Sequence, residues 1–377
     1  MTPGQTPYPY VKLLPVEVYL DTPATDEDSN KKITMSELKS RVAVLIGGST
    51  DELIPGYGGT LDAVDPEIKH ILGPEIERVS YDEAVASRNV VGVMTLTHAH
   101  VDAALLDALG PNVKCVSNYG VGVNHIDLEE CARRGIPVGN TPGVLSDATA
   151  DLAWTLLLAC ARKIPQADRY TRGPEFTTYV NLLLLGADVS NKTIGVIGMG
   201  NIGGEVARRA LGFKMRTLYY NRSRKSVEIE EELNATYASL ETLLAESDFV
   251  VLACPLTSET AGIIDASALR AMKRTAILIN IGRGGLIKQD ALLASLEDDG
   301  DAGIAMAGLD VSTPEPLPRD HPLLSRDDVV WTPHRGSATA GTRRAMAELA
   351  VRNLKLGLAG EDLECCCNGV TVAVAQK

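Results

Sequence analysis

From Arg41 onward the chain alternates short apolar runs with longer amphipathic stretches, the pattern of repeated strand and helix units around a parallel sheet. Residues 42–46, 90–94 and 113–116 read as strands of a first sheet. After Pro142, residues 147–162 read as a helix rich in Ala and Leu that can pass between domains. A second strand series opens at 193–197 and continues through 216–220, 249–252, 276–279 and 307–311, with a helix over 204–211 after its first strand. No short-period repeat interrupts this order. The expected fold class is α/β with two doubly wound parallel-sheet domains.

The 377 residues exceed what one core organises, since single cores stop growing at about 250 to 300 residues. Aromatic residues make up only 4%, so the cores must be filled by Ala, Val, Leu and Ile, which suits strands buried on both faces. With 36 Lys and Arg against 49 Asp and Glu, the net charge of −13 disfavours a nucleic-acid partner. The strongest apolar stretch, 152–161, is half the roughly 20 residues that cross a bilayer, so no membrane partner is expected. Residues 1–40, with a Pro and Thr stretch and an acidic patch at 21–28, read as a partly disordered extension. They resemble neither a secretory signal nor a transit peptide, and the cytoplasm is the expected compartment.

Of seven cysteines, Cys115, Cys131, Cys160 and Cys254 lie singly in apolar segments and read as reduced core residues. Cys365, Cys366 and Cys367 form a run in a C-terminal tail, 365–377, expected to be structurally inert. Consecutive residues are badly placed to wrap a tetrahedral zinc, and no metal site is expected.

The most informative motif is Gly198-Met199-Gly200-Asn201-Ile202-Gly203, between an apolar strand and a helix. The first glycine allows a tight turn, the second lets backbone approach a pyrophosphate, and the third lets helix pack close to strand. Unpaired amides at the helix start then hold phosphate oxygens. At the end of the next strand, where a carboxylate would bind the ribose hydroxyls of NAD, stand Asn221, Arg222, Ser223 and Arg224. Two guanidiniums and a hydroxyl suit a 2′-phosphate, so NADP is expected over NAD, with NAD still possible; the plainer reading is a solvated basic loop.

Three further segments follow later strands: Asn280-Ile-Gly-Arg283-Gly-Gly, Leu309-Asp310-Val-Ser-Thr-Pro-Glu315-Pro, and Thr332-Pro-His334-Arg-Gly-Ser337. In order and wording they resemble the D-isomer-specific 2-hydroxyacid dehydrogenases, and among them the glyoxylate and hydroxypyruvate reductases. The likeness runs from about residue 42 to about residue 360. It implies a Rossmann NAD(P)-binding domain, 143–337, inserted into a flavodoxin-like substrate domain, 41–142 and 338–364. It also implies NADPH-dependent reduction of small 2-oxo acids to D-2-hydroxy acids.

Such a reduction needs a cation to hold the carboxylate and polarise the carbonyl, and an acid to protonate the developing alkoxide. Arg283 suits the first task and His334 the second, and the resemblance implies Glu315 as the carboxylate that orients the imidazole. Singly, Arg283 reads as a surface ion-pair residue, Glu315 as a loop acid and His334 as a turn histidine; in family order they read as a catalytic set. The resemblance carries Val121, Gly122 and Ser337 to the substrate and Thr149, Cys254, Pro255, Ile281 and Asp310 to the cofactor. Of the competing histidines His98, His100, His125 and His321, His98 and His100 lack a paired acid and read as loop residues, and His125 follows the turn whose Val121 and Gly122 amides, rather than its imidazole, would contact substrate. A homodimer is expected, because the helix at 148–161 resembles the family's dimer-forming region.

Two other readings share the fold. A formate- or phosphite-type dehydrogenase is one, although formate dehydrogenases carry Gln where Glu315 stands. A nucleotide-sensing co-repressor is the other, although the acidic residue of its NAD site is absent. Arg335, where many members are apolar, either adds a cation beside His334 or points into an ion pair.

Overall fold

The computed structural model describes residues 40–45, 71, 76–79, 84–86, 88, 90–95, 100–298 and 303–371. The expectations for residues 1–39, for His98 and for 372–377 lie outside the described residues.

The first sheet is built from β1 (Ser40–Leu45), β2 (Ile76–Val79), β3 (Gly92–Thr95), β4 (Cys115–Asn118) and β5 (Val138–Gly139). Its order is β2-β1-β3-β4-β5 with every pair parallel, the flavodoxin-like doubly wound order. Helices α1 (Ala103–Leu109) and α2 (Leu128–Arg133) start where Asp102 and Asp127 accept hydrogen bonds from backbone amides three residues on.

The chain then runs through α3 (Ser146–Ala161) and α4 (Ile164–Arg172) into the second sheet. This comprises β6 (Thr193–Ile197), β7 (Arg216–Tyr220), β8 (Ala235–Tyr237), β9 (Phe249–Leu252), β10 (Ile277–Asn280), β11 (Met306–Leu309) and β12 (Val329–Trp331). Read from β8, the order is β8-β7-β6-β9-β10-β11-β12, all parallel, which is the Rossmann order with one added strand. Strands β9, β10 and β11 are buried throughout and almost wholly aliphatic, as the low aromatic content requires.

The helices α5 (Asn201–Gly212), α6 (Val227–Glu232), α7 (Leu240–Glu246), α8 (Ala266–Ala271) and α9 (Gln289–Glu297) complete this half. One face of the sheet packs on α3 and α5, where Trp154 stacks on Phe213 at 4.5 Å and its indole donates to the Val206 carbonyl at 3.1 Å. Arg209 of α5 ties the same helices together by pairing with Asp147 and Asp151 of α3. The other face packs on α7, α8 and α9 through Leu243, Leu269 and Leu292.

Finally α10 (Ala340–Ala359) returns to the first sheet. Met346, Ala350 and Leu354 join Met94 and Cys115 in one cluster, and the Ser117 hydroxyl donates to the Ala350 carbonyl at 2.7 Å.

The helix at 148–161 buries Ala150, Ala153, Trp154, Leu156, Leu157 and Cys160 against its own chain, and leaves Leu152, Leu158 and Ala159 partly buried. A β-carbon on Gly308 of β11 would lie 3.1 Å from the Leu156 Cβ, which shows how close the helix sits. The segment from Cys365 is not a tail detached from the fold: Cys366 bridges Gly139 antiparallel, Cys367 N donates to the Val138 carbonyl at 2.8 Å, and Asn368 holds both Ile136 and Val138. The edge strand β5 is thereby covered. Strands β2, β5, β8 and β12 were not expected; at two to four residues they fall below what periodicity can register.

Candidate active site

The carboxyl ends of β4, β6, β7, β10, β11 and β12 carry the expected site residues, and β6 and β9 stand at the switch point where strand order reverses. Open α/β sheets bind ligands at such a point.

At the end of β6, Gly198 adopts φ +100°, and a β-carbon there would lie 2.5 Å from the Cys254 amide nitrogen. A β-carbon on Gly203 would lie 2.0 Å from the Gly198 carbonyl oxygen. At Gly200 a β-carbon would meet nothing within 4 Å. The protein itself therefore requires two of the three glycines, and the third opens onto free space above the start of α5. Gly200 caps α5 without a side-chain hydrogen bond, which leaves the first-turn amides available to an anion. Asn201 is exposed in that turn, Ile202 packs against the cores of both halves, and Met199 is buried. The residues fit a dinucleotide.

Asn221 bridges the turn to the end of β7, its Oδ1 accepting from Met199 N at 3.1 Å. Arg222 and Ser223 are exposed beyond it. Arg224 makes a two-pronged pair with Glu230, at 2.9 and 2.8 Å, and Glu230 also accepts from the Tyr219 hydroxyl at 2.6 Å. These bonds hold the Glu230 carboxyl well below the usual range, at about 2. Glu230 was not anticipated, because nothing in its acidic helix distinguishes it from Glu228, Glu231 or Glu232. Cys254 and Ile281 are buried beside the glycine turn, Pro255 is exposed, and burial pushes the Cys254 thiol up to about 11.

Across the site, Asn118 at the end of β4 donates to the Gly120 and Gly122 carbonyls at 2.8 and 3.1 Å. Arg283, following β10, lies directly on this turn: a β-carbon on Gly122 would be 1.7 Å from its Nη2. Its hydrogen-bond partners are neutral, the Asn124 Oδ1 at 2.8 Å and the Gly282 carbonyl at 2.8 Å. No carboxylate lies within ion-pair distance of it among the described residues; burial lowers its pKa, and the Glu315 charge opposes that shift. Buried Asn280 sets the Arg283 loop by donating to the Arg283 carbonyl and accepting from Gly282 N. Asn118, Asn124 and Asn280 are neutral amides that sequence reading gave no role.

His334 meets Glu315 at 2.5 Å through Nδ1, a pair in which the carboxylate orients the imidazole ring. His334 has φ +52°, a strained value for a side-chain-bearing residue, held because its own N donates to the Asp310 carbonyl at 2.8 Å. The buried Asp310 carboxylate accepts from Thr332 Oγ1, Arg335 N and Gly336 N, and so fixes both flanks of the histidine turn. Burial raises the pKa of Asp310. Gly336 lies against buried Thr149 of α3, and Ser337 follows, partly buried, before α10. Of the competing histidines, His125 is buried on Asn118 and His321 caps a short turn through Leu323 N. Among the described residues no group of three His, Cys, Asp or Glu could hold a metal ion, and no helix is long and apolar enough to cross a membrane.

Two doubly wound parallel sheets whose carboxyl ends offer a phosphate turn, a desolvated guanidinium and a carboxylate-paired histidine define an NAD(P)-dependent oxidoreductase. The family model for the D-isomer specific 2-hydroxyacid dehydrogenase NAD binding domain matches residues 154–336. The chain is 52% identical over 271 residues to a glyoxylate reductase of Thermococcus kodakarensis, covering 71% of this chain and 80% of that one. It is 40% identical over 296 residues to the human glyoxylate reductase/hydroxypyruvate reductase, covering 77% and 89%. The solved NADPH-dependent glyoxylate/hydroxypyruvate reductase of Sinorhizobium meliloti, in complex with NADP and malonate, superposes with a TM-score of 0.76 at 30% identity, over 88% of this chain and 98% of that one. The chain belongs to the D-isomer specific 2-hydroxyacid dehydrogenase family.

Proposed function

We propose that the protein reduces small 2-oxo acids, glyoxylate and hydroxypyruvate, to D-2-hydroxy acids, with NADPH as preferred donor and NADH as a poorer one. The observation that carries the substrate class is Arg283, a desolvated cation with neutral partners beside a turn whose amides are free to take an anion. The relatives' names, glyoxylate reductase and glyoxylate reductase/hydroxypyruvate reductase, support the particular acids.

In this reading residues 143–337 hold the cofactor, and 41–142 with 338–364 hold the substrate. NADPH supplies the hydride. The amides of Val121 and Gly122 and the guanidinium of Arg283 bind the carboxylate, and Arg283 also polarises the carbonyl. His334 donates the proton from Nε2 to the alkoxide oxygen, while Glu315 keeps the ring oriented and stabilises its charged form. Asp310 and Thr149 line the nicotinamide side, with Asp310 also fixing the turn that presents His334. Closure of the halves excludes water and aligns the reactants.

The NADPH preference rests on Arg222 and Ser223, because Glu230 already occupies Arg224. A homodimer is supported by an exposed apolar run after α4, in which Tyr179, Leu182 and Leu185 are 81%, 73% and 62% exposed. The cytoplasm remains the proposed compartment. The test is oxidation of NADPH and of NADH by the purified protein with glyoxylate, hydroxypyruvate, pyruvate and a bulkier oxo acid. Turnover confined to the bulkier acid overturns the substrate reading, and equal efficiency with NADH overturns the cofactor preference.

A further inference from the structure

The turn at 120–123 is held from inside. Asn118 is buried at the end of β4, and its side chain makes four hydrogen bonds. Backbone carbonyls only accept, so the two contacts to the Gly120 and Gly122 oxygens must come from Nδ2. That orientation leaves Oδ1 to accept from the Thr95 hydroxyl at 2.6 Å and from His125 Nε2 at 3.1 Å, which requires the proton of His125 on Nε2 for this bond. Asn140 holds the carbonyl in between, its Nδ2 donating to the Val121 oxygen at 2.9 Å.

Three successive carbonyls are therefore tethered by side chains. In a trans peptide the carbonyl and the following N–H point in opposite directions. Tethering the Gly120, Val121 and Gly122 carbonyls thus turns the amides of Val121, Gly122 and Val123 away from those tethers. None of these three amides has an acceptor among the described residues. Arg283 packs on the same turn, as the blocked β-carbon position of Gly122 records. Consecutive unclaimed amides beside a guanidinium make an anion-binding concavity.

We propose that Asn118 is the positioning residue of the substrate-carboxylate turn, with Thr95 and His125 fixing its orientation and Asn140 completing the set. Asn118 touches no reacting atom; it acts through the backbone it aims. The inference rests on the 2-oxo-acid reading above. Its signature is a loss of carboxylate affinity with little loss of turnover at saturation.

The decisive variant is Asn118→Asp, which keeps size and shape, keeps an acceptor for Thr95 and His125, and replaces the donor with an oxygen that repels both carbonyls. Steady-state kinetics with glyoxylate should show KM raised about tenfold or more, with kcat within about threefold and NADPH affinity unchanged. The inhibition constant of oxalate, a carboxylate that undergoes no hydride transfer, should rise in parallel. Thr95→Val should raise KM about threefold through looser orientation of Asn118, and Thr95→Ser, which restores the hydroxyl, should return most of that loss. A folded Asn118→Asp enzyme with unaltered KM and oxalate affinity overturns the proposal, as does a Thr95→Val effect that Thr95→Ser fails to reverse. A wild-type protein that reduces no 2-oxo acid overturns the substrate reading instead, which keeps the two failures apart.

Discussion

Two arginines stand at opposite ends of the site, and the protein treats them differently. Arg283 is partly buried and hydrogen-bonded only to neutral oxygens, so its charge is available to something else. Arg224 is 62% exposed and gripped by Glu230 through two hydrogen bonds, so its charge is already answered. A partly desolvated cation whose nearest carboxylate, Glu315, acts on it only through space still gains from an arriving anion, whereas an exposed, paired one is nearly neutral in energy. One arginine therefore belongs to ligand binding, and the other shapes the loop that carries Arg222 and Ser223.

The largest expected effects lie at the Arg283 end. His334→Ala should lower kcat about 10² to 10⁴-fold while NADPH still binds, measured by steady-state kinetics beside a fluorescence titration of the cofactor. Arg283→Ala should lower kcat/KM for glyoxylate by about 10² to 10³-fold, and Arg283→Lys should recover little, because a point charge cannot reproduce the fork. Either variant near wild type would collapse the contrast between the two arginines.

At the other end the effects are smaller. Arg222→Ala should weaken NADPH about ten- to a hundredfold and leave NADH nearly unchanged, as expected for a lost charge-assisted bond to a phosphate. Arg224→Ala should cost less than about threefold in the same NADPH titration, since Glu230 has already claimed that guanidinium. Equal losses would show that Arg224 releases Glu230 when the cofactor binds.

The smallest effect is one of pH. The folded pKa of Glu230, about 2, lies below that of an unfolded glutamate, so the Arg224–Glu230 clamp contributes fully above about pH 4.5. Its contribution is lost as pH falls from there toward 2. A Glu230→Gln variant should show a shallower fall of melting temperature across that window, and an unchanged slope would remove the clamp from the account.

Strands with buried apolar centres were legible in the sequence: 193–197, 216–220 and 249–252 coincide with β6, β7 and β9. A continuous aliphatic run between turn residues has few other fates. The glycine turn was legible because two of its glycines answer local steric demands and the third leaves open space at the helix start. Glu315 and His334 were named only through the resemblance, since they meet across 19 residues. Asn118, Asn280 and Glu230 stayed hidden for a different reason. Their importance lies in which backbone or guanidinium groups they touch, and an amide or carboxylate in a strand or helix carries no sign of its partner. The short edge strands escaped because β5 has two residues and is completed by Cys366, far away in sequence.

The return of α10 to the first sheet has a consequence for biosynthesis. Met94 on β3 and Cys115 on β4 emerge from the ribosome early, yet the residues that cover them, Met346 to Leu358, follow only after the whole cofactor-binding half has been made. At about 5 to 20 residues per second, the interval is on the order of tens of seconds. During that time the second sheet, continuous in the chain, can fold alone, while the first waits with one apolar face bare. The nascent chain is thus most open to aggregation or chaperone capture at its earliest-made sheet.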